Sequence, residues 1–147
     1  MTVIKKLNDL DITLSKLSRK KILSLVPTMG SLHKGHISLI KSALKYSDEV
    51  WVSIFVNPTQ FNDINDYKKY PVNFKEDINI IKSINQNINI FLPSIDDIYG
   101  KKIISDKFNF DGIDKILEGI KRPGHFDGVA TIVKKLFEIF NPNFVFF

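Results

Sequence analysis

The chain has 147 residues, 44% of them hydrophobic, and this combination predicts one globular domain with its own core. It contains no cysteine, which excludes a disulfide framework and a thiolate metal site. The net charge of +5 comes from lysines that are scattered or paired rather than gathered into a basic stripe, so we expect an anionic small-molecule ligand and no nucleic acid.

Neither a membrane span nor a secretory signal is predicted. No apolar run reaches the ~18 residues that a membrane-crossing helix needs. The first nine residues lack the apolar segment of a signal peptide. We therefore expect a cytoplasmic protein without a membrane partner.

The first half of the chain alternates between helical and strand-like patterns. Apolar residues at helical spacing predict a helix over residues 7–17, and a short β-rich stretch predicts a strand over residues 22–26. A helix of about twelve residues is predicted from His36, because apolar residues recur there every three or four positions. The run V-W-V-S-I-F then predicts a buried strand over residues 50–55.

The next segment repeats this order after a long polar stretch. Residues 57–71 are too many for a simple turn and predict an irregular ligand-binding loop. Asn73 is predicted to cap a helix that runs to Ile84, and the run I-N-I-F-L predicts a strand over residues 88–92. Two successive strand-helix-strand units predict a parallel sheet and an α/β fold.

The last third is predicted to end in a helix and a strand. Before them, shorter patterns favour a helical turn over residues 95–99 and an extended piece near residues 103–108. Seven residues at helical spacing predict the last helix, with Phe126, Val129 and Val133 in the core: Phe126, Val129, Ala130, Val133, Leu136, Phe137 and Phe140. After Asn141-Pro142 the run N-F-V-F-F begins another strand. It is either an edge strand at a natural terminus or a sign that the chain is the first part of a longer protein, and we favour the second interpretation.

The most informative stretch is P-T-M-G-S-L-H-K-G-H, which joins the first long strand to the helix after it. In a parallel sheet such a helix points its N-terminus at the crevice where ligands bind, and its free N–H groups favour phosphate. His33 and His36 would add two imidazole donors on that side, suited to a nucleotide whose α-phosphate is attacked. Alternatively, one histidine is a surface residue and the other a capping or packing residue.

A metal site and the common phosphate-binding loops fit this stretch less well. A metal site lacks a third ligand nearby, because the remaining histidine, His125, is far away in sequence. The G-x-x-x-x-G-K-[ST] and G-x-G-x-x-G phosphate-binding fingerprints are both absent. The two histidines therefore leave both nucleotidyl transfer without a P-loop and a purely structural role open, and the rest of the sequence has to decide between them.

Four segments together resemble the pantoate-beta-alanine ligase family of the nucleotidylyltransferase superfamily. They are P-T-M-G-S-L-H-K-G-H, V-S-I-F-V-N-P-T-Q-F, the Tyr70-Pro71 pair, and E-G-I-K-R-P-G-H-F-D-G-V-A-T-I-V. The resemblance runs from about residue 7 to residue 147, in the family's order and spacing. The resemblance implies a Rossmann-like parallel sheet with helices on both faces and an H-x-G-H nucleotide site.

The resemblance implies an ATP-dependent ligase in which ATP activates pantoate and beta-alanine then attacks the pantoyl adenylate. Magnesium would accompany ATP, and the enzyme would be a homodimer. The ATP-binding stretch would comprise Met29, Gly30, Ser31, Leu32, His33, Lys34, Gly35 and His36. His36 would be the catalytic donor, with His33 as its partner on the phosphates.

The resemblance also assigns substrate-binding residues outside that stretch. Gln60 would hold pantoate and border the beta-alanine site, with Phe55 and Asn57 walling and supporting the pocket. Arg122 would supply a cation near a carboxylate or phosphate, with an exposed loop residue as the alternative. For His125 we favour a packing or capping role at the start of the last helix.

Family members are about twice as long as this chain. We therefore expect residues 1–147 to form the nucleotide- and pantoate-binding domain, without the family's C-terminal ATP-clamping domain. Such a half-site would be open to water, so the isolated chain is expected to bind ligands weakly and to ligate poorly. Two alternatives stay open: another nucleotidyltransferase domain, or a non-catalytic module for dimerisation or nucleotide binding.

Overall fold

The computed structural model describes residues 1–18, 20–112, 114, 116 and 118–147, and its centre is a five-stranded parallel sheet. The strands are β1 (Val3–Ile4), β2 (Leu23–Thr28), β3 (Glu49–Ile54), β4 (Asn89–Phe91) and β5 (Phe144–Val145). Their order across the sheet is β1-β4-β3-β2-β5, and every pairing is parallel. The predicted α/β fold is confirmed.

Helices connect the strands in the predicted order. The helices are α1 (Leu7–Ser15), α2 (Lys34–Tyr46), α3 (Ile64–Lys69), α4 (Phe74–Ile84), α5 (Ile95–Tyr99), α6 (Glu118–Lys121) and α7 (His125–Phe140), with a 3-10 helix at Pro58–Gln60. Asn73 caps α4 as predicted, because its side chain accepts the N–H of Glu76 at 3.2 Å.

Two apolar layers cover the two faces of the sheet, because successive strand residues point to opposite sides. On one face α1 and α7 pack against Leu25, Trp51 and Phe91. On the other face α2 and α4 pack against Val26 and Val52 of the same strands. The predicted arrangement of helices on both faces is therefore present.

Strand β2 continues through Pro27 to Thr28, two residues beyond the predicted end. Proline cannot donate to a neighbouring strand, so a central strand rarely contains one. Here the Leu25 carbonyl accepts from Phe146 on the β5 side, whereas the Thr28 carbonyl accepts from Phe55 on the β3 side. By alternation the missing N–H of Pro27 faces the β5 side, two residues past Leu25, which pairs with Val145 at the end of β5.

Some local predictions are wrong. Residues 57–71 are not irregular throughout, because they contain the 3-10 helix and α3. Strand β1 was not predicted, since its two residues are too few for a pattern and are defined only by pairing with Ile90 and Phe91.

The buried face of α7 also differs from the prediction. Its buried residues are Gly128, Thr131, Ile132, Leu136 and Phe140. Phe126, Val129 and Val133, predicted to be core, are only half-buried, and Phe137 is 40% exposed. The reason is that α7 packs its first turns against the 3-10 helix, and close packing there selects the small residue Gly128.

The described helices are modest in length and hydrophobicity. The longest of them, α7, has 16 residues. Within the described part of the chain, no helix has both the length and the apolar character that crossing a membrane requires.

Candidate functional site

The turn between β2 and α2 lies at the carboxyl end of a central strand. Its backbone takes positive φ angles at Gly30 (83°) and Ser31 (52°). A Cβ on residue 30 would lie 2.9 Å from Asp77 Oδ2, so the turn requires glycine there for both conformation and space. The position of Ser31 is fixed by a hydrogen bond, in which its hydroxyl donates to the Pro71 carbonyl at 2.9 Å.

Asp77 of α4 anchors this turn, and the sequence patterns did not predict it. The residue is 2% exposed, and its two carboxylate oxygens accept the N–H groups of Ser31 at 3.1 Å and Leu32 at 2.8 Å. Hydrogen bonds to a buried carboxylate are stronger than neutral ones, so they fix the backbone of the turn. The available signal was helical spacing: Asp77 lies four positions before the buried Ile81 and thus on the buried face.

The two histidines form the cap of α2 with their Nδ1 atoms. His33 Nδ1 accepts the Gly35 N–H at 3.1 Å, and His36 Nδ1 accepts the His33 N–H at 3.3 Å. In a neutral imidazole whose Nδ1 accepts, the proton is on Nε2. Each neutral ring therefore keeps one N–H donor that the cap does not use.

The electrostatic surroundings favour the neutral form of His36. Burial lowers the pKa of His36 below its ordinary value of 6.5, the charge of His33 lowers it further, and the Asp77 carboxylate partly opposes both. The His33 ring lies 4.1 Å away between centroids, close enough for two protonated rings to repel each other. His36 therefore offers a neutral Nε2–H donor at neutral pH.

A cavity of about 260 Å³ opens beside His36 at the carboxyl ends of β2 and β3. Its polar lining residues are Thr28, His36, Ser53, Gln60 and Tyr70. Its apolar lining residues are Pro27, Met29, Phe55, Val129, Ile132, Val133, Leu136 and Phe147. The cavity thus suits a small molecule with one apolar face and several oxygen atoms.

Gln60 ends the 3-10 helix, and the buried Asn57 fixes that helix from behind. Asn57 is 0% exposed, and its Nδ2 donates to the Gly128 carbonyl at 2.9 Å. Its Oδ1 accepts from the Tyr99 hydroxyl at 2.6 Å and from the Thr59 hydroxyl at 3.1 Å. Burial raises the pKa of Tyr99, so this hydroxyl remains a donor at neutral pH.

Helix α7 supports Gln60 from a second side. His125 Nδ1 lies 2.8 Å from the Gln60 carbonyl oxygen, which can only accept, so Nδ1 carries the proton there. A Cβ at position 128 would lie 2.9 Å from Gln60 N and would overlap the Thr59 carbonyl. Only glycine therefore permits this approach of helix to loop.

The structure brings together four of the predicted site residues. Met29, His36, Phe55 and Gln60 line one cavity. Asn57 lies behind the cavity wall, and its polar atoms bond to protein groups, so it supports the pocket without facing it.

The remaining predicted site residues lie outside the cavity lining. Gly30, Ser31 and Leu32 shape the turn, whereas His33, Lys34 and Gly35 are exposed at the start of α2. Arg122 is half-buried and precedes α7 by one turn. Val129 and Val133, predicted as core, belong to the cavity wall instead. His125 packs at the helix start, while the cap position itself is Gly124.

Comparison with known proteins identifies relatives of the whole chain. The family profile described as Pantoate-beta-alanine ligase matches residues 2–147. Pantothenate synthetase from Flavobacterium psychrophilum is 53% identical over 89% of this chain and 46% of the relative. Pantothenate synthetase from Buchnera aphidicola subsp. Acyrthosiphon pisum is 49% identical over 100% of this chain and 52% of the relative.

A solved structure matches the fold closely. It is the pantoate-beta-alanine ligase from Francisella tularensis complexed with beta-gamma ATP and beta-alanine, with a TM-score of 0.93 and 43% identity. The match covers 99% of this chain and 55% of that protein. The chain thus spans about half the length of the relatives that it matches.

Proposed function

The chain belongs to the pantoate-beta-alanine ligase family, and we propose that it forms the nucleotide- and pantoate-binding domain, residues 1–147, of such a ligase. In the first step a pantoate carboxylate oxygen attacks the α-phosphorus of ATP, and pyrophosphate leaves. In the second step the amine of beta-alanine attacks the acyl carbon, and AMP leaves as pantothenate forms. A second domain of the longer family members would complete the ATP site.

One observation carries this proposal: a single cavity joins His36 at the start of α2 with Gln60 after β3. The first residues of α2 offer backbone N–H groups and a partial positive charge, which favour phosphate. His36 Nε2–H would donate to a phosphate oxygen as negative charge moves onto pyrophosphate. His33 would hold a second phosphate oxygen from the exposed side.

The rest of the cavity suits the acid substrate. Gln60 can both donate and accept, which fits a molecule that bears a carboxylate and hydroxyl groups. Phe55, Val129 and Val133 provide apolar contact for its two methyl groups. Arg122, one turn before the His125 that contacts Gln60, would serve as a cation for a carboxylate or phosphate.

We propose that magnesium arrives with ATP rather than in a protein-built site. Among the described residues, no group of three histidine, aspartate or glutamate side chains could hold a metal ion. The carboxylate nearest the turn, Asp77, already uses both oxygens for backbone N–H groups. Magnesium carried by the triphosphate would neutralise charge on ATP.

We also propose a cytoplasmic homodimer, by analogy with the family. The analogy is tested by sedimentation equilibrium of the 147-residue chain. A dimer at micromolar concentration is expected, and a monomer across that range would contradict it.

The catalytic proposal is tested by pantoate-dependent exchange between ATP and pyrophosphate, which needs no amine. His36→Asn is the sharpest variant, since an asparagine oxygen can still accept the His33 N–H while the Nε2 donor is lost. We expect exchange to fall at least about a hundredfold, the size of a lost transition-state donor. His33→Asn, which keeps a good cap, should cause a smaller loss.

The outcomes separate the alternatives. Exchange that needs pantoate and His36 supports adenylation by this domain. Undiminished exchange in His36→Asn refutes the role of His36. If the wild-type chain shows no exchange, the activity requires the longer family protein. If the exchange proceeds with another acid in place of pantoate, or with CTP in place of ATP, the chain catalyses a different nucleotidyl-transfer reaction.

A further inference from the structure

Strand β3 carries a buried hydroxyl, that of Ser53, at its carboxyl end. Ser53 is 0% exposed, and its Oγ has no hydrogen-bond partner among the described residues. The same residue lines the cavity beside Gln60 and Phe55. A buried polar atom without a partner is unfavourable, so its position in a ligand cavity indicates that a ligand supplies the partner.

The neighbouring hydroxyl in the cavity is already occupied. Thr28 Oγ1 donates to the Ser53 carbonyl at 2.9 Å and accepts the Gly30 N–H at 3.3 Å. Thr28 is therefore committed to holding the strand and the turn. Ser53 Oγ keeps its donor and its lone pairs for another molecule.

Ser24 provides a matched comparison in the same sheet. It is also 0% exposed, and its Oγ likewise has no partner among the described residues. It lies between Leu23 and Leu25, whose side chains pack toward α1 and α7, so the Ser24 side chain points to the opposite face. Ser24 does not line the cavity.

We infer that Ser53 is a substrate-binding residue that recognises a hydroxyl group of the acid substrate. This inference rests on the proposed function, in which the cavity holds pantoate. A serine hydroxyl can donate to and accept from a substrate hydroxyl, and most of the remaining wall is apolar. A hydroxyl-free acid of similar shape would leave Ser53 unpaired, so the residue selects for hydroxylated acids.

The test compares two ligands and three proteins. The 147-residue chain, its Ser53→Ala variant and its Ser24→Ala variant are titrated with pantoate and with hydroxyl-free dimethylbutanoate, and dissociation constants are measured by NMR. We expect Ser53→Ala to weaken pantoate binding about tenfold, the size of one buried hydrogen bond. Dimethylbutanoate binding to Ser53→Ala and binding of either ligand to Ser24→Ala should stay within about twofold of wild type.

Each other result overturns the inference. If Ser53→Ala binds pantoate as tightly as wild type, or binds both ligands equally more weakly, Ser53 does not contact a substrate hydroxyl. Either result leaves the proposed function unaffected. If the wild-type chain binds ATP but not pantoate, both the role of Ser53 and the proposed pantoate site are contradicted. Thermal unfolding is a further check, because both alanine variants should be at least as stable as wild type. A clear loss in Ser53→Ala alone would assign its hydroxyl a structural partner instead.

Discussion

The two walls of the cavity are held in place by different physical means. The histidine turn is anchored by one buried charge, the Asp77 carboxylate, which accepts two backbone N–H groups. The segment that carries Gln60 is anchored by neutral groups, namely the side chains of Asn57, Thr59 and Tyr99. A charged anchor concentrates stabilisation in one residue, whereas the neutral anchor distributes it over several.

The largest expected effect follows from removing the charged anchor. Asp77→Ala leaves two backbone N–H groups without their acceptor, and we expect the free energy of unfolding to fall by about 3 kcal/mol. Asp77→Asn keeps one acceptor oxygen and should lose roughly half as much. Urea unfolding of the purified variants measures both values.

A neighbouring acidic residue provides the control for this prediction. Glu76 precedes Asp77 on α4 but is exposed. Glu76→Gln should change the free energy of unfolding by less than about 0.5 kcal/mol. If Asp77→Ala were as mild as Glu76→Gln, the carboxylate would not be the anchor of the turn.

A smaller effect is expected in the neutral wall. Tyr99→Phe removes only the hydroxyl that donates to Asn57, and the free energy of unfolding should fall by about 1 kcal/mol because Thr59 and Gly128 still hold Asn57. Tyr46→Phe is the matched control, since Tyr46 is 60% exposed, and it should be neutral. A loss from Tyr99→Phe equal to that from Asp77→Ala would contradict the distributed anchor.

The smallest effect concerns the pH dependence of stability. The pKa of His36 is lowered in the folded chain, so below pH 6.5 the unfolded chain binds a proton before the folded chain does. The contribution of His36 is therefore fully present above pH 6.5 and declines as the pH falls toward the lowered value.

This pH effect is measured with the same His36→Asn variant. Urea midpoints of wild type and variant are recorded from pH 7.5 to 5.5, conditions that span the titration of histidine at about 6.5. The wild-type midpoint should fall more steeply than that of the variant. Parallel curves would show that protonation of His36 is not coupled to folding.

Sequence patterns predicted the site better where residues act locally than where they act across the fold. The capping of α4 by Asn73 and the placement of His33 and His36 at a helix start depend on neighbouring residues, and both are present. Asp77 was missed because its partners are 45 and 46 positions away. Val129 and Val133 were misplaced because spacing identifies an apolar face but not whether a cavity lies against it.

The sequence by itself determined the alternation of strands and helices, the parallel sheet and the family, because these depend on periodicity and on contiguous motifs. Only the tertiary structure decided which strand ends meet and therefore that His36, Gln60 and Ser53 share one cavity. It also decided which hydroxyls have partners within the described part of the chain: the Thr28 hydroxyl bonds to a residue 25 positions away, while the Ser53 hydroxyl has no partner there. The physical reason is that hydrogen-bond satisfaction and cavity shape arise between segments distant in sequence, and no local pattern encodes them.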